Sequence, residues 1–290
     1  MRFVLLALTF SALLARADEL SDTFDKLKAA ERAQNGADVN KYATETSRLA
    51  RIQLAKPASP EMAQSDYGKE RLVYLSQTDT YTEYSMGVAA SYPSNSPETV
   101  IKLTESIVTQ NPKSDYLELA VPPYLSALLK TSQQAELDGA NRILKLQPEN
   151  EDARLRLTEG LLAQQKLIEA GQSAAELLAV MSEKPRPDRY SVELWRDKKT
   201  LLINRSHFVA GAAACEREAW RECDAHLRTV NDPANAGPTA FYLGLANYRL
   251  ANLDDALKFS RQSAAIAGPM QTAASRNAAA IEAEQKKTKK

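Results

Sequence analysis

The sequence predicts an all-α protein built from antiparallel pairs of helices. Aromatic residues make up only 7% of the chain and glycines number ten among 290 residues. Sheets favour β-branched and aromatic residues, whereas this chain has long runs of Ala, Leu, Glu, Gln and Lys, which favour helices. Prolines that end helical stretches also recur, since 36 residues separate the members of the pairs Pro112/Pro148 and Pro233/Pro269, while Pro185 lies 37 residues after Pro148 and 48 before Pro233. An interval in the mid-thirties is typical of helix–turn–helix repeats.

Helical periodicity and capping signals support the same class. The apolar residues Val100, Leu103 and Ile107 recur at the spacing of one helix face. Ser59-Pro60-Glu61 and Ser96-Pro97-Glu98 each place a capping serine, a first-turn proline and an acid in the order that begins a helix. These signals predict helix starts at both places.

The first 17 residues have the pattern of a signal peptide. Arg2 precedes a mostly apolar stretch from Phe3 to Leu14, and Ala15-Arg16-Ala17 is an A-x-A cleavage pattern before Asp18. Twelve helical residues span roughly 18 Å, which is shorter than a hydrocarbon core of about 30 Å. We therefore expect a periplasmic or secreted protein with no stable membrane insertion after cleavage at Asp18.

The charge balance disfavours nucleic acid as a partner. Basic and acidic residues number 37 each, and removal of residues 1–17 with Arg2 and Arg16 would leave 35 basic and 37 acidic residues. Such a chain has no overall field that attracts nucleic acid or anionic lipid. The basic run at residues 286–290 is interpreted as a solvated tail.

Residues 237–270 closely resemble a tetratricopeptide repeat. Leu243-Gly244 fits the Leu-Gly position of the first helix of that family, Ala256 fits the small residue of the second, and Pro269 falls within one place of the closing proline. Gly244 and Ala256 lack bulk, so two helices can approach closely there. The resemblance implies a right-handed α-solenoid of antiparallel helix pairs.

Weaker copies of the repeat extend the resemblance over roughly two-thirds of the chain. We expect a signal peptide at 1–17, a helical capping region at 18–80 and a C-terminal capping helix with a basic tail at 271–290. An extra helical stretch at 187–203 interrupts the period. The predicted repeats are 81–114, 115–150, 151–184, 204–236 and 237–270.

The two cysteines and the two histidines fall within one predicted repeat. Cys215 and Cys223 flank a turn expected near Glu218-Ala219, so they either form a disulfide or fill small-residue positions as buried thiols. Together with His207 and His226 they match no standard zinc-finger spacing, and we predict no metal site.

No catalytic or cofactor motif is found. The sequence lacks phosphate-binding glycine loops, the G-x-S-x-G nucleophile pattern and H-E-x-x-H. We therefore predict no enzyme activity and no cofactor. By resemblance to the repeat family, the first helices would line a partner-binding groove; Phe241 and Tyr248 either belong to it or pack between repeats. The candidate groove residues are Asp152, Leu155, Glu159, Phe241, Leu245, Tyr248 and Arg249.

Three function classes fit these expectations to different degrees. A non-catalytic scaffold that binds a protein or peptide in the cell envelope or outside the cell suits the extended concave surface of a solenoid. A structural subunit of an envelope assembly is the alternative. An enzyme with an unrecognised site ranks third, because fold alone does not determine function.

Overall fold

The computed structural model describes residues 19–56, 61 and 64–288, and these residues form helices, turns and loops with no β-strand among them. The prediction of an all-α protein is therefore confirmed for this part of the chain. None of the described helices has both the length and the apolar character needed to cross a membrane. The predicted signal peptide and the predicted helix start at Ser59-Pro60 lie outside the described residues.

The chain divides into two compact units, Met1–Pro148 and Glu149–Lys290. The described helices of unit 1 are α1 (residues 19–32), α2 (Gly36–Leu54), α3 (Asp66–Ala89), α4 (Pro97–Gln110), α5 (Leu117–Thr131) and α6 (Gln133–Leu146). Helix α2 packs against α3 and α4, α5 packs against α4 and α6, and α3 also contacts α5.

The described helices of unit 2 are α7 (Glu151–Ala163), α8 (Leu167–Glu183), α9 (Val192–Glu216), α10 (Trp220–Leu227), α11 (Ala236–Arg249), α12 (Leu253–Ala264) and α13 (Gln271–Thr288), with a 3₁₀ turn at Pro233–Asn235. Each of these helices packs against the next one along the chain. Alternate helices also meet, because α7 contacts α9, α9 contacts α11 and α11 contacts α13. This pattern is that of helical hairpins placed side by side.

Four of the hairpins share one turn geometry. Each turn has three residues, and the middle residue has a left-handed backbone with φ between 49° and 62°. In the α9–α10 turn the Glu218 amide donates to the Cys215 carbonyl and the Ala219 amide donates to the Ala214 carbonyl. These bonds satisfy carbonyls at the helix end that would otherwise lack donors. The left-handed residues are Gln34, Gln165, Glu218 and Ala251.

Helix α4 begins at the capping residue that the sequence indicates. Ser96 caps α4, with Pro97 in its first turn, and the Ser96 side chain accepts a hydrogen bond from the Thr99 amide. Asn252 occupies the capping position of α12 but makes no capping bond. Its side-chain Nδ2 donates to Asn247 Oδ1 at 3.0 Å instead, so this side chain ties the turn to α11.

Small residues occupy the points where paired helices cross. A Cβ atom added to Gly244 would lie 2.7 Å from Ser260 Oγ, and one added to Gly211 would lie 2.5 Å from Leu227 Cγ. Both distances are far below ordinary van der Waals contact, so a larger side chain at either position would require the neighbouring side chain to move. In the α7–α8 pair the corresponding contact is polar, because Thr158 Oγ1 and Ser173 Oγ are 2.7 Å apart.

The predicted repeats agree with the helix pairs unevenly. The predicted repeat 151–184 contains α7 and α8, and the predicted repeat 237–270 begins one residue after the start of α11 and extends six residues beyond the end of α12. Residues 192–203 of the predicted extra stretch form the first half of the 25-residue helix α9, which continues into the next predicted repeat, whereas residues 187–191 form a turn before it. The boundary predicted between 80 and 81 falls inside α3, because nothing between Ser76 and Tyr81 breaks a helix: neither proline nor glycine occurs there.

Candidate binding surface

The predicted groove residues on α7, which are Asp152, Leu155 and Glu159, all contact α9. Leu155 is only 7% exposed and packs with Trp195 in an apolar cluster. Asp152 Oδ2 accepts a hydrogen bond from Lys198 Nζ at 2.7 Å, and burial raises the pKa of Asp152. Glu159 Oε1 pairs with Arg205 Nε at 2.8 Å. These three side chains therefore pack one hairpin against the next, and Leu155 is enclosed in the core.

The predicted groove residues on α11 make contacts with α10, with α11 itself and with α13. These residues are Phe241, Leu245, Tyr248 and Arg249. The Phe241 ring meets the Tyr242 ring edge-on, with centres 5.7 Å apart. Tyr248 Oη donates to Glu284 Oε2 at 3.1 Å on α13, and Leu245 lies beside Tyr248 at a small cavity of about 160 Å³. The Arg249 guanidinium lies 5.5 Å from the centre of a ring on α10, that of Trp220. The α7 and α11 groups thus contact different helices.

A disulfide joins Cys215 of α9 to Cys223 of α10, and both residues are buried. The two sulfurs are therefore not available as thiolate ligands in this structure. His207 Nδ1 and His226 Nδ1 lie 3.0 Å apart on the same two helices, and burial together with His226 lowers the pKa of His207. No group of three His, Cys, Asp or Glu residues in the described part of the chain has the geometry to hold a metal ion.

A row of tyrosines on α3 is the largest exposed aromatic feature among the described residues. Tyr67, Tyr74 and Tyr84 are 66%, 49% and 41% exposed. Positions 67, 74 and 81 are seven residues apart, so they lie nearly in line along one side of a helix with 3.6 residues per turn. We call the surface formed by Tyr67, Tyr74, Tyr81 and Tyr84 of α3, with Tyr116 before α5, the tyrosine face.

Ring contacts hold one end of the tyrosine face in place. Tyr81 contacts Tyr84 with ring centres 5.7 Å apart, and Tyr84 contacts Tyr116 edge-on at 5.5 Å. The Lys28 ammonium lies 3.4 Å from the centre of the Tyr81 ring, and the Tyr81 hydroxyl donates to Glu31 Oε2 at 2.9 Å. Lys28 and Glu31 belong to α1, so this helix supports the tyrosines from one side.

Polar bonds on the opposite side of α3 hold the helix that carries the face. Asp79 Oδ2 accepts from Arg51 Nε at 2.8 Å, and Asp79 Oδ1 accepts from the Ser47 hydroxyl at 2.5 Å. The Gln110 side chain of α4 donates to Thr82 Oγ1 at 2.6 Å. These bonds anchor α3 to α2 and α4, so the exposed tyrosines lie on a supported helix.

An open pocket of about 390 Å³ lies along the tyrosine face. Its walls combine tyrosine rings with uncharged polar side chains. The lining residues are Tyr81, Tyr84 and Tyr116 together with Ser76, Gln77 and Thr80. Tyrosine and uncharged polar groups together are typical of surfaces that bind peptides or proteins, because rigid rings supply contact area and polar groups supply hydrogen bonds. The volume lies within the range of ordinary ligand sites.

The sequence contained a signal for the tyrosine face that our predicted site residues do not include. The seven-residue spacing of tyrosines is visible at 67, 74 and 81, but the repeat boundary predicted between 80 and 81 divides this row. Tyr116 joins the row only through the packing of unit 1. No protein-family model matches the chain, and no curated protein is significantly similar to it.

Proposed function

We propose that this chain is a non-catalytic binding protein whose tyrosine face holds an extended peptide segment of a partner protein. The exposed tyrosine row carries the proposal. Tyrosine is among the residues that dominate binding energy at interfaces, because its ring buries a large area and its hydroxyl forms a hydrogen bond. Exposed aromatic rings that lie along one side of a helix indicate an interaction surface.

The spacing of the rings favours a peptide in the polyproline II conformation. Residues seven apart on a helix are separated by about 10 Å, and one three-residue turn of polyproline II is about 9 Å long. Proline-rich segments dock in aromatic-lined grooves, where each turn inserts between rings. Glu70 is exposed and lies between Tyr67 and Tyr74 on the same side of α3, so a basic residue of the peptide would pair with it.

The repeat architecture supports a scaffold role. Shared turns at Gln165, Glu218 and Ala251 and close helix crossings at Gly211 and Gly244 are features of stacked helical hairpins. We propose that the hairpins form a right-handed solenoid of the tetratricopeptide type, and that the protein acts in the periplasm or outside the cell. The alternative of a structural envelope subunit predicts stable assembly through large surfaces rather than capture of a short peptide.

The peptide hypothesis is tested with two variants. The probe is a fluorescein-labelled peptide with two Pro-x-x-Pro turns and one flanking arginine, and its affinity is measured by fluorescence anisotropy. Replacement of Tyr67 and Tyr74 together by serine is expected to weaken binding about tenfold or more, because two exposed contact rings are lost. Tyr248→Ser is the matched control: its ring is 41% exposed, but it lies in unit 2.

Two outcomes would contradict the proposal. One is the absence of peptide binding by the unchanged protein. The other is an equal loss of affinity in the Tyr248→Ser protein, which would place the peptide in the predicted α11 groove. Circular dichroism of each variant verifies that the helices are retained, which we expect because the replaced side chains are exposed.

Export is a separate prediction. We expect the mature chain to begin at Asp18, since the A-x-A pattern at Ala15-Arg16-Ala17 follows a short apolar stretch. The measurement is N-terminal sequencing of protein recovered from the periplasm or medium of an exporting host. Recovery of chains that begin at Met1 and remain in the cytoplasm would contradict both the cleavage and the compartment.

A further inference from the structure

The two histidines of the chain meet between α9 and α10. His207 and His226 are the only histidines among the 290 residues, and 19 positions separate them. Their Nδ1 atoms lie 3.0 Å apart, and their ring centres lie 5.3 Å apart. One ring therefore donates a hydrogen bond through Nδ1 and the other accepts it. Both residues are half-buried and keep part of their surface in contact with solvent.

The backbones that carry the two histidines are held close together. The Cys215–Cys223 disulfide joins the same two helices. A Cβ atom added at Gly211, one turn after His207, would lie 3.3 Å from the Cβ atom of His226. The two imidazoles are thus presented by a closely packed and cross-linked hairpin rather than by loops. Ligands held in this way lose little conformational freedom when both bind one ion.

The local charge does not oppose a cation. Residues three and four positions apart are neighbours on a helix surface, and those at these spacings from the two histidines include no Lys or Arg. Glu222 is the one charged residue among them. The arginines nearest in sequence, Arg205 and Arg228, each pair with a carboxylate. The neighbours at these spacings are Ile203, Asn204, Ala210, Gly211, Glu222, Cys223, Thr229 and Val230.

The spacing of the two nitrogens suits two neighbouring ligands of one metal ion. Bonds from a metal to imidazole are about 2.0–2.1 Å long, so a right angle between two such bonds places the nitrogens about 2.9 Å apart and the tetrahedral angle about 3.3 Å apart. The observed 3.0 Å is nearer to the right angle of tetragonal Cu²⁺ than to the tetrahedral geometry of Zn²⁺. Cu²⁺ also forms the most stable complexes among the first-row divalent ions.

We infer that His207 and His226 bind one Cu²⁺ ion through their Nδ1 atoms, with water in the remaining coordination positions. Each ring turns so that its Nδ1 lone pair points at the ion. The proton of the donating Nδ1 moves to Nε2 of the same ring, so no proton is released. Both cysteines are in the disulfide, so no thiol competes for the ion or reduces it.

This inference replaces the sequence-based prediction of no metal site. That prediction came from the ligand spacings of zinc fingers, which do not apply to two histidines that meet across a hairpin. The pair lies within unit 2 and shares no residue with the tyrosine face, so the metal site is independent of the proposed peptide function.

Copper titration of the whole chain tests the site. The protein carries an affinity tag without histidine, and Cu²⁺ is added after removal of metals by a chelator, above the ordinary histidine pKa of about 6.5. We expect saturable binding of one Cu²⁺ per chain and an electron paramagnetic resonance signal with coupling to two nitrogens. Labelling histidine alone with ¹⁵N should change this coupling, because the chain has only these two imidazoles. Zn²⁺ should bind more weakly.

Glutamine variants identify the ligands. His207→Gln and His226→Gln should each weaken Cu²⁺ binding about tenfold or more, because the loss of a group that merely supports a metal ligand already costs about that much. Glu222→Gln is the control, since the Glu222 side chain is 50% exposed and pairs with Arg217. Its affinity for Cu²⁺ should stay within about twofold of that of the unchanged protein.

Several outcomes would overturn the inference. The absence of saturable binding, or a coupling that ¹⁵N-labelled histidine leaves unchanged, would exclude the two imidazoles as ligands. This measurement uses the unchanged protein, so it decides the question even where a glutamine variant fails to fold. A loss of affinity in Glu222→Gln equal to that in His226→Gln would also overturn the site. Tighter binding of Zn²⁺ than of Cu²⁺ would overturn the choice of metal.

Discussion

Replacing Glu151 by glutamine is expected to lower the free energy of unfolding of unit 2 by about 3–5 kcal/mol, the usual loss when one member of a buried ion pair is removed. The Glu151 side chain is 1% exposed and lies between two lysines. Lys184 Nζ is 2.5 Å from its Oε2, and Lys198 Nζ is 2.8 Å from its Oε1. Glutamine has the same shape but no charge, so the largely buried Lys184 ammonium would lose this carboxylate and Lys198 would keep only Asp152 of its two carboxylate partners.

The contacts of Glu151 with Lys184 and Lys198 also predict that the stability of the protein depends on pH. Burial alone would raise the pKa of Glu151, but Lys198 and Lys184 outweigh it and hold the pKa below its ordinary value. A carboxyl with a lowered pKa stabilises the fold above its unfolded pKa, and this contribution disappears as the pH falls through the folded pKa. The stability advantage of the unchanged protein over Glu151→Gln should therefore shrink as the pH falls below about 4.5.

Asp152 acts in the opposite direction. Burial raises its pKa, so its ionised form opposes folding above its ordinary pKa. Asp152 is present in both proteins, and the comparison of Glu151→Gln with the unchanged chain therefore isolates most of the Glu151 contribution. Coupling between the two carboxyls affects the size of the difference, not its sign.

Urea unfolding at pH 7 and pH 4 measures this effect. The two tryptophans of the chain, Trp195 and Trp220, both lie in unit 2, so their fluorescence reports on that unit. Asp197→Asn is the control, because Asp197 and its partner Arg196 are each 69% exposed and surface pairs contribute little. Its effect should stay below about 0.5 kcal/mol. A loss in Glu151→Gln no larger than this would contradict the prediction.

Local signals in the sequence were sufficient to predict that the chain is helical and to predict how some of the helices pair. The proline interval and the Leu243-Gly244 pattern predict α11 and α12 within a few residues, because capping and close crossing are decided by nearby residues. The turn expected near Glu218-Ala219 is present between α9 and α10. The repeat boundaries before residue 150 were harder to predict from the sequence. Helix α3 runs through the boundary that we predicted between residues 80 and 81.

The candidate sites depended on contacts that a sequence does not contain. Asp152 was predicted to line a groove, but Lys198, 46 residues further on, engages it. The tyrosine spacing was visible, yet its exposure depends on which side of α3 packs against α2 and α4.

The second large effect is expected at Gly244, where α11 crosses α12. A Cβ atom there would lie 2.7 Å from Ser260 Oγ and 3.1 Å from the Ser260 backbone nitrogen. The serine hydroxyl can rotate away, but the backbone nitrogen moves only if α12 moves. Gly244→Leu is therefore expected to lower the free energy of unfolding by at least the ~1–3 kcal/mol that is typical of overpacking.

A glycine in open space provides the control for this replacement. The nearest atom to a Cβ added at Gly171 of α8 is Arg217 Nη2 at 4.0 Å, so Gly171→Ala should raise stability by about 0.5–1 kcal/mol through helix propensity. Urea unfolding followed by tryptophan fluorescence compares the two variants. Hydrogen exchange should also show faster exchange in α11, α12 and α13 of Gly244→Leu, because α13 packs against α12. Unchanged protection across residues 236–288 would mean that α12 tolerates the added side chain and that the crossing is not tightly packed.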